Sequence, residues 1–121
     1  MNKLTNMAVF AALLLIAQSA LACDYPERVD NLPDGNSATR DEMVAGKKAV
    51  QSYLAEMEEY LSCIEAEEAE ALVTMGEVDD ETKRQRKLTF DKKHNAAVEE
   101  MNLVAEQFNI QLRAYNAKRK N

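Results

Sequence analysis

The stretch VQSYLAEMEEYLSCIEAEEAEALVTM, Val50 to Met75, decides the fold. Taken in alternating steps of four and three, it carries Val50, Leu54, Met57, Leu61, Ile64, Glu68, Ala71 and Met75. Residues spaced in this way share one face of an α-helix, in a stripe narrow enough to lie along a second helix. The same stepping recurs downstream through Phe90, His94, Ala97, Met101, Val104, Phe108, Gln111 and Tyr115. Two such helices joined by a short connection predict an all-α chain, a coiled-coil-like antiparallel hairpin.

The ends of both helices are written locally. Thr39 followed by Glu42 is a capping box, with Asp41 adding favourable charge in the first turn. Gly76 supplies a stop after Met75, and Asp79 or Asp80 caps the second helix. The expected spans are residues 39–75 and about 80–118, each arm about 55 Å long. Gly46 weakens the first helix by up to about 1 kcal/mol relative to alanine, which marks it as a place where another backbone approaches. Charge favours the antiparallel arrangement. Residues 49–82 hold eleven acids and no Lys or Arg, whereas Lys83, Arg84, Arg86, Lys87, Lys92 and Lys93 follow against Asp91 alone. Folding at Gly76 sets the acidic end of one arm beside the basic start of the other, each exposed pair adding only a few tenths of a kcal/mol.

Residues 1–22 read as a cleavable signal peptide: Lys3, an apolar run from Met7 to Ala17, then Ala20-Leu21-Ala22 as a small-x-small cleavage site. Cleavage after Ala22 makes Cys23 the first residue of a periplasmic or secreted chain. Residues 23–38 hold Pro26, Pro33 and Asp34-Gly35, and so predict an extended segment rather than helix. Cys63 lies about 36 Å along the first helix from Thr39, and the preceding segment can reach about 53 Å. It can therefore fold back along the first helix and bring Cys23 to Cys63, the only other cysteine. A disulfide there closes a loop of about 41 residues and contributes roughly 4 kcal/mol in the chain-entropy model. An alternative is a lipoprotein acylated at Cys23, although Ala20 is a weak residue at its place in that signal and acylation leaves Cys63 unpaired. A reactive thiol is the remaining option, with no CxxC spacing or flanking base to activate it.

The chain carries a net charge of −6, which becomes −7 when the leader takes Lys3 with it. An acidic chain without tryptophan is a poor fit to nucleic acid. After residue 22 no stretch approaches the roughly 20 apolar residues of a membrane span. No Ser-His-Asp, Cys-His or paired-carboxylate arrangement stands out, so the reading is non-catalytic and without a cofactor. His94, the single histidine, sits on the second stripe and reads first as a packed residue, second as a titrating group at an interface. Glu65, Glu67, Glu68 and Glu70 form an acidic run that reads first as solvated surface and second as a site for a cation or basic partner. Met43, Met57, Met75 and Met101 read as core filler, or as an adaptable binding groove. Arg113, Lys118, Arg119 and Lys120 read as a solvated terminus, or as a contact to anionic lipid.

The apolar surface is wider than one stripe. Tyr53, Tyr60 and Leu72 flank it on the first arm, and Val98, Leu103, Ile110 and Leu112 on the second. Tyr53, Tyr60, Leu72, Val98 and Leu112 are therefore candidates for an interaction surface, which homodimerisation into a four-helix bundle would cover. Cys23-Asp-Tyr-Pro, Leu32-Pro-Asp-Gly, Ser37-Ala-Thr, Glu42-Met, the run Tyr53…Met57…Tyr60-Leu-Ser-Cys63 with Glu67, Asn95-Ala-Ala-Val-Glu-Glu-Met and Phe108-Asn-Ile-Gln-Leu-Arg-Ala-Tyr115 together resemble a family of short exported proteobacterial proteins. The resemblance covers nearly the whole chain after residue 22 and implies compartment and fold, but no mechanism. The resulting expectation is an envelope protein acting through protein–protein contact, structural or chaperone-like. The runners-up are a lipoprotein spacer and a small metal- or ligand-binding protein.

Overall fold

The computed structural model describes Ala22–Asn121; the leader read at residues 1–22 lies outside the described residues but for Ala22. Among the described residues, two helices account for the regular structure: α1, Arg40–Met75, and α2, Asp80–Arg119. At 1.5 Å per residue they are about 54 Å and 60 Å long. Both halves of the capping box open α1: Thr39 Oγ1 accepts from the Glu42 amide, and the Glu42 carboxylate accepts from the Thr39 amide. Asp79 caps α2 by accepting from the Thr82 amide at 2.6 Å. Between the helices Gly76 takes φ 65°, ψ −141°. A Cβ there would meet nothing within 4 Å, so glycine is required by the backbone angle rather than by space.

The helices run antiparallel. Gly46 near the start of α1 lies against Phe108 near the end of α2, and Glu68 near the end of α1 pairs with Arg86 near the start of α2. The core consists of Ala38, Met43, Val50, Tyr53, Met57, Tyr60 and Ile64 on one side and Ala97, Val104 and Phe108 on the other. Every position of both expected stripes is buried or half-buried, Leu54, Leu61, Phe90, Met101 and Tyr115 among the half-buried ones. The centre of burial on α1 nevertheless differs from the expected one. It follows Met43, Gly46, Val50, Tyr53, Met57, Tyr60 and Ile64, so Tyr53 and Tyr60, read as flanking the stripe, are core residues, while Leu54 and Leu61 on the stripe are half-buried.

The reason is a third partner. Cys23 and Cys63 are joined by a disulfide, with Cα atoms 5.7 Å apart. The Tyr25 ring meets the Tyr60 ring edge-to-face at 4.9 Å between centroids. Arg28 reaches α2, its Nε 3.1 Å from the Glu100 carboxylate and its guanidinium donating to the Gln107 side chain. Val29 and Leu32 pack on the core cluster. Asp34 organises the entry to α1 by accepting from the Asn36 amide at 2.9 Å, while the Gly35 amide donates to Gln111 Oε1 at 2.8 Å. The fully buried residues all fall in the part of the hairpin that carries these contacts; past Ile64, α1 holds only half-buried and exposed positions.

The two buried glycines differ from expectation in what approaches them. At Gly46 it is side chains: an added Cβ would lie 2.6 Å from Pro33 Cδ and 3.3 Å from Phe108 Cε2. At Gly35 it is backbone: an added Cβ would run into the Gln111 carbonyl and lie 2.8 Å from the Tyr115 amide nitrogen. Overpacking of this kind costs about 1–3 kcal/mol. In thermal melts followed by circular dichroism, Gly35→Ala is expected to lower stability by that full amount. Gly46→Ala should lower it less, because a gain in helix propensity of about 1 kcal/mol offsets part of the clash. A Gly35→Ala variant as stable as the parent would contradict the close approach.

Candidate functional site

The feature that organises side chains most clearly is a groove between the helices. On α1 the residues Gly46, Tyr53, Tyr60 and Glu67 fall seven apart along one line, and on α2 so do Arg86, Lys93, Glu100 and Gln107. Residues seven apart are two turns apart on nearly the same bearing, so each line runs straight along its helix. The segment 23–38 touches both lines: Pro33 at Gly46, Tyr25 at Tyr60, Arg28 at Glu100 and Gln107. At the turn end, past the disulfide, the groove is open. There it has a volume of about 330 Å³ and an apolar floor of Ile64, Ala71 and Phe90, rimmed by Glu67 and Glu68 on one side and Arg86 and Lys93 on the other. Arg86 spans this part with two hydrogen bonds to Glu68, at 2.8 Å and 3.2 Å. Lys93 lies 5.9 Å over the Tyr60 ring and so belongs to both parts.

Tyr53 is the least satisfied residue of the groove. It is 2 % exposed, and its hydroxyl has no hydrogen-bond partner. Removal from water pushes its phenol above the ordinary value, with Tyr25 and Glu100 adding and Arg28 opposing. Tyr25 is shifted in the same direction, again chiefly by burial and then by Glu100 and Tyr60.

The residues expected to form an interaction surface do not stay together. Tyr53 and Tyr60 are buried within the monomer and offer no outer surface; Val98 and Leu112 are half-buried; Leu72 alone of the five is exposed, at 44 %. Apolar exposure falls elsewhere. Leu88, Leu103 and Ile110 are each about half exposed, between 45 % and 57 %, and share the side of α2 turned away from its buried stripe. Val73, beside the turn, is 83 % exposed. Leu88, Val44 and Val73 fall on neither stripe.

The acidic run is taken up piecemeal. Glu68 pairs with Arg86, Glu65 Oε1 lies 3.4 Å from His94 Nε2, and Glu67 sits beside the disulfide. His94 also packs against Phe90 at 5.8 Å between ring centroids. Among the described residues no group of three or more His, Cys, Asp or Glu is placed to hold a metal ion. Met43 and Met57 are buried, while Met75 and Met101 are half-buried. The basic terminus is partly engaged: Lys118 donates to the Ala38 carbonyl at 3.3 Å, and Lys118 and Arg119 flank the Tyr115 ring. Arg113 pairs with Glu106. Among the described residues, no helix is long and apolar enough to cross a membrane. No family model, curated protein or solved structure matches the chain.

Two outcomes follow from this geometry. Tyr53→Phe keeps the ring and removes a buried hydroxyl without a partner, so it should leave stability unchanged or raise it by about 1 kcal/mol in denaturant titration. A loss of that size would mean that the hydroxyl is hydrogen-bonded. The second outcome concerns acid. Backbone amides hold three carboxyls below their ordinary range: Asn36 for Asp34, Thr39 for Glu42 and Thr82 for Asp79. A lowered folded-state value contributes stability above the unfolded value of about 4, which is lost as pH falls through the lowered values. Melting temperature should therefore be level above the carboxylate range and decline in acid, and Asp79→Asn, which keeps an acceptor oxygen at the cap, should shallow that decline.

Proposed function

We propose that this protein is a non-catalytic binding module of an oxidising, extracytoplasmic compartment, acting in the bacterial envelope through contact with other proteins in a structural or chaperone-like role. The observation that carries the reading is the Cys23–Cys63 disulfide, since such bonds persist where thiols are not kept reduced. In this reading the leader is removed after Ala22 and segment 23–38 folds back over the hairpin as a strap, in keeping with the resemblance to exported proteobacterial proteins. Contact is made through apolar residues outside the core, Leu88, Leu103 and Ile110 on the outer side of α2 and Leu72 and Val73 near the turn. Pairing of two hairpins through α2 builds a four-helix bundle. A lipoprotein is the competing reading, and the disulfide stands against it because it uses the thiol that acylation needs.

Intact mass from cell fractions, with thiol alkylation before and after reduction, separates the two. The proposal predicts a species beginning at Cys23, released without detergent and alkylated only after reduction. A detergent-extracted species heavier by acyl groups, with Cys63 free, would replace it with the lipoprotein. Sedimentation of residues 23–121 tests the pairing: a dimer is expected, converted to monomer by Leu103→Glu with helix content kept. A monomer at all concentrations would remove the bundle.

A further inference from the structure

We infer that the Cys23–Cys63 disulfide is a latch: it holds the strap in the groove between α1 and α2, and its reduction opens that groove while the hairpin stays folded. Three observations carry this. First, the strap is held without a ladder. Among the described residues, the segment from Cys23 to Pro33 makes no backbone–backbone hydrogen bond to either helix. Its attachment consists of the disulfide, the Tyr25–Tyr60 contact, the Arg28 contacts to Glu100 and Gln107, and the packing of Val29, Leu32 and Pro33. Segments with few such bonds are the first to open locally.

Second, the hairpin packs where the strap does not reach. Past the disulfide, Glu68 still pairs with Arg86 and Glu65 lies beside His94, with Ala71, Met75 and Phe90 half-buried between the helices. That uncovered part shows the arrangement which release of the strap extends towards Gly46. Third, the covered and uncovered parts meet: Lys93, on the rim of the open part, lies 5.9 Å over the Tyr60 ring against which Tyr25 packs, and Cys23 meets Cys63 at that boundary.

The bond is reachable, since Cys23 and Cys63 are each half-buried rather than enclosed. The exchange balances with a protein dithiol as reductant. Its thiolate attacks one sulfur of the Cys23–Cys63 bond, and the second thiol resolves the mixed disulfide. The reductant leaves as a disulfide, having given two electrons and two protons, and Cys23 and Cys63 become thiols. The opened state presents Tyr60, against which Tyr25 packs in the oxidised state, and Tyr53 beside it.

Trypsin reports the strap directly, because cleavage after Arg28 needs that segment to leave the groove, whereas cleavage at Lys47 or Lys93 needs a helix to open. The protein is digested for short times with and without a small dithiol, the fragments are weighed, and far-UV circular dichroism is recorded in parallel. The inference predicts that reduction speeds cleavage after Arg28 at least tenfold, with the helix signal and the rates at Lys47 and Lys93 unchanged, and that Cys23→Ser behaves likewise without reductant. Unchanged cleavage after Arg28 on reduction would mean that the strap needs no latch. Loss of the helix signal, with Lys47 and Lys93 cut as fast as Arg28, would make the disulfide a staple of the whole fold.

Discussion

Every other feature depends on the packing of one helix against another along stripes that advance by alternating steps of three and four residues. A helix of 36 residues and one of 40 present these stripes to each other over most of their length. Isolated helices gain little from propensity alone, so it is burial of the shared stripe that holds them straight. The short connection at Gly76 leaves antiparallel pairing as the one arrangement open within a single chain. The charge division between the arms agrees with it, most visibly where Arg86 meets Glu68.

Two helices expose too much of each other to form a closed core, and the fully buried residues show where that limit is overcome. They lie between Ala38 and Ile64 and between Ala97 and Phe108, where the segment after Cys23 is in contact with both helices. The disulfide fixes one end of that segment, and the capped start of α1 fixes the other. Gly35 and Gly46 are the points where the segment comes so close that a methyl group would intrude.

Features governed by local rules were legible in the sequence. The capping box at Thr39 and Glu42, the glycine after Met75, the cap at Asp79 and both stripes depend on residues a few positions apart, and the Cys23–Cys63 pairing followed from a count of two cysteines that the preceding segment is long enough to join. The depth of Tyr53 and Tyr60 was not legible, because the phase of the buried stripe depends on a third surface that periodicity within α1 does not register. For the same reason the interaction surface read from those tyrosines lies inside the monomer. Gly35 looked like turn chemistry, yet its neighbour is the backbone of α2, 76 residues away. The acidic run looked like one patch, and three of its members instead face different partners: Glu68 meets Arg86, Glu65 meets His94 and Glu67 the disulfide.

The functional reading rests on the same geometry: a two-helix hairpin, a disulfide between Cys23 and Cys63, and the half-exposed Leu88, Leu103 and Ile110 on α2. All of it requires the antiparallel register that sets Gly46 beside Phe108. Nuclear Overhauser contacts from the Phe108 ring in the oxidised protein test that register most directly. The account predicts cross-peaks to the Gly46 α-protons and to the Pro33 ring. Cross-peaks from Phe108 to the turn end of α1, around Leu72 and Met75, with none to Gly46, would contradict it.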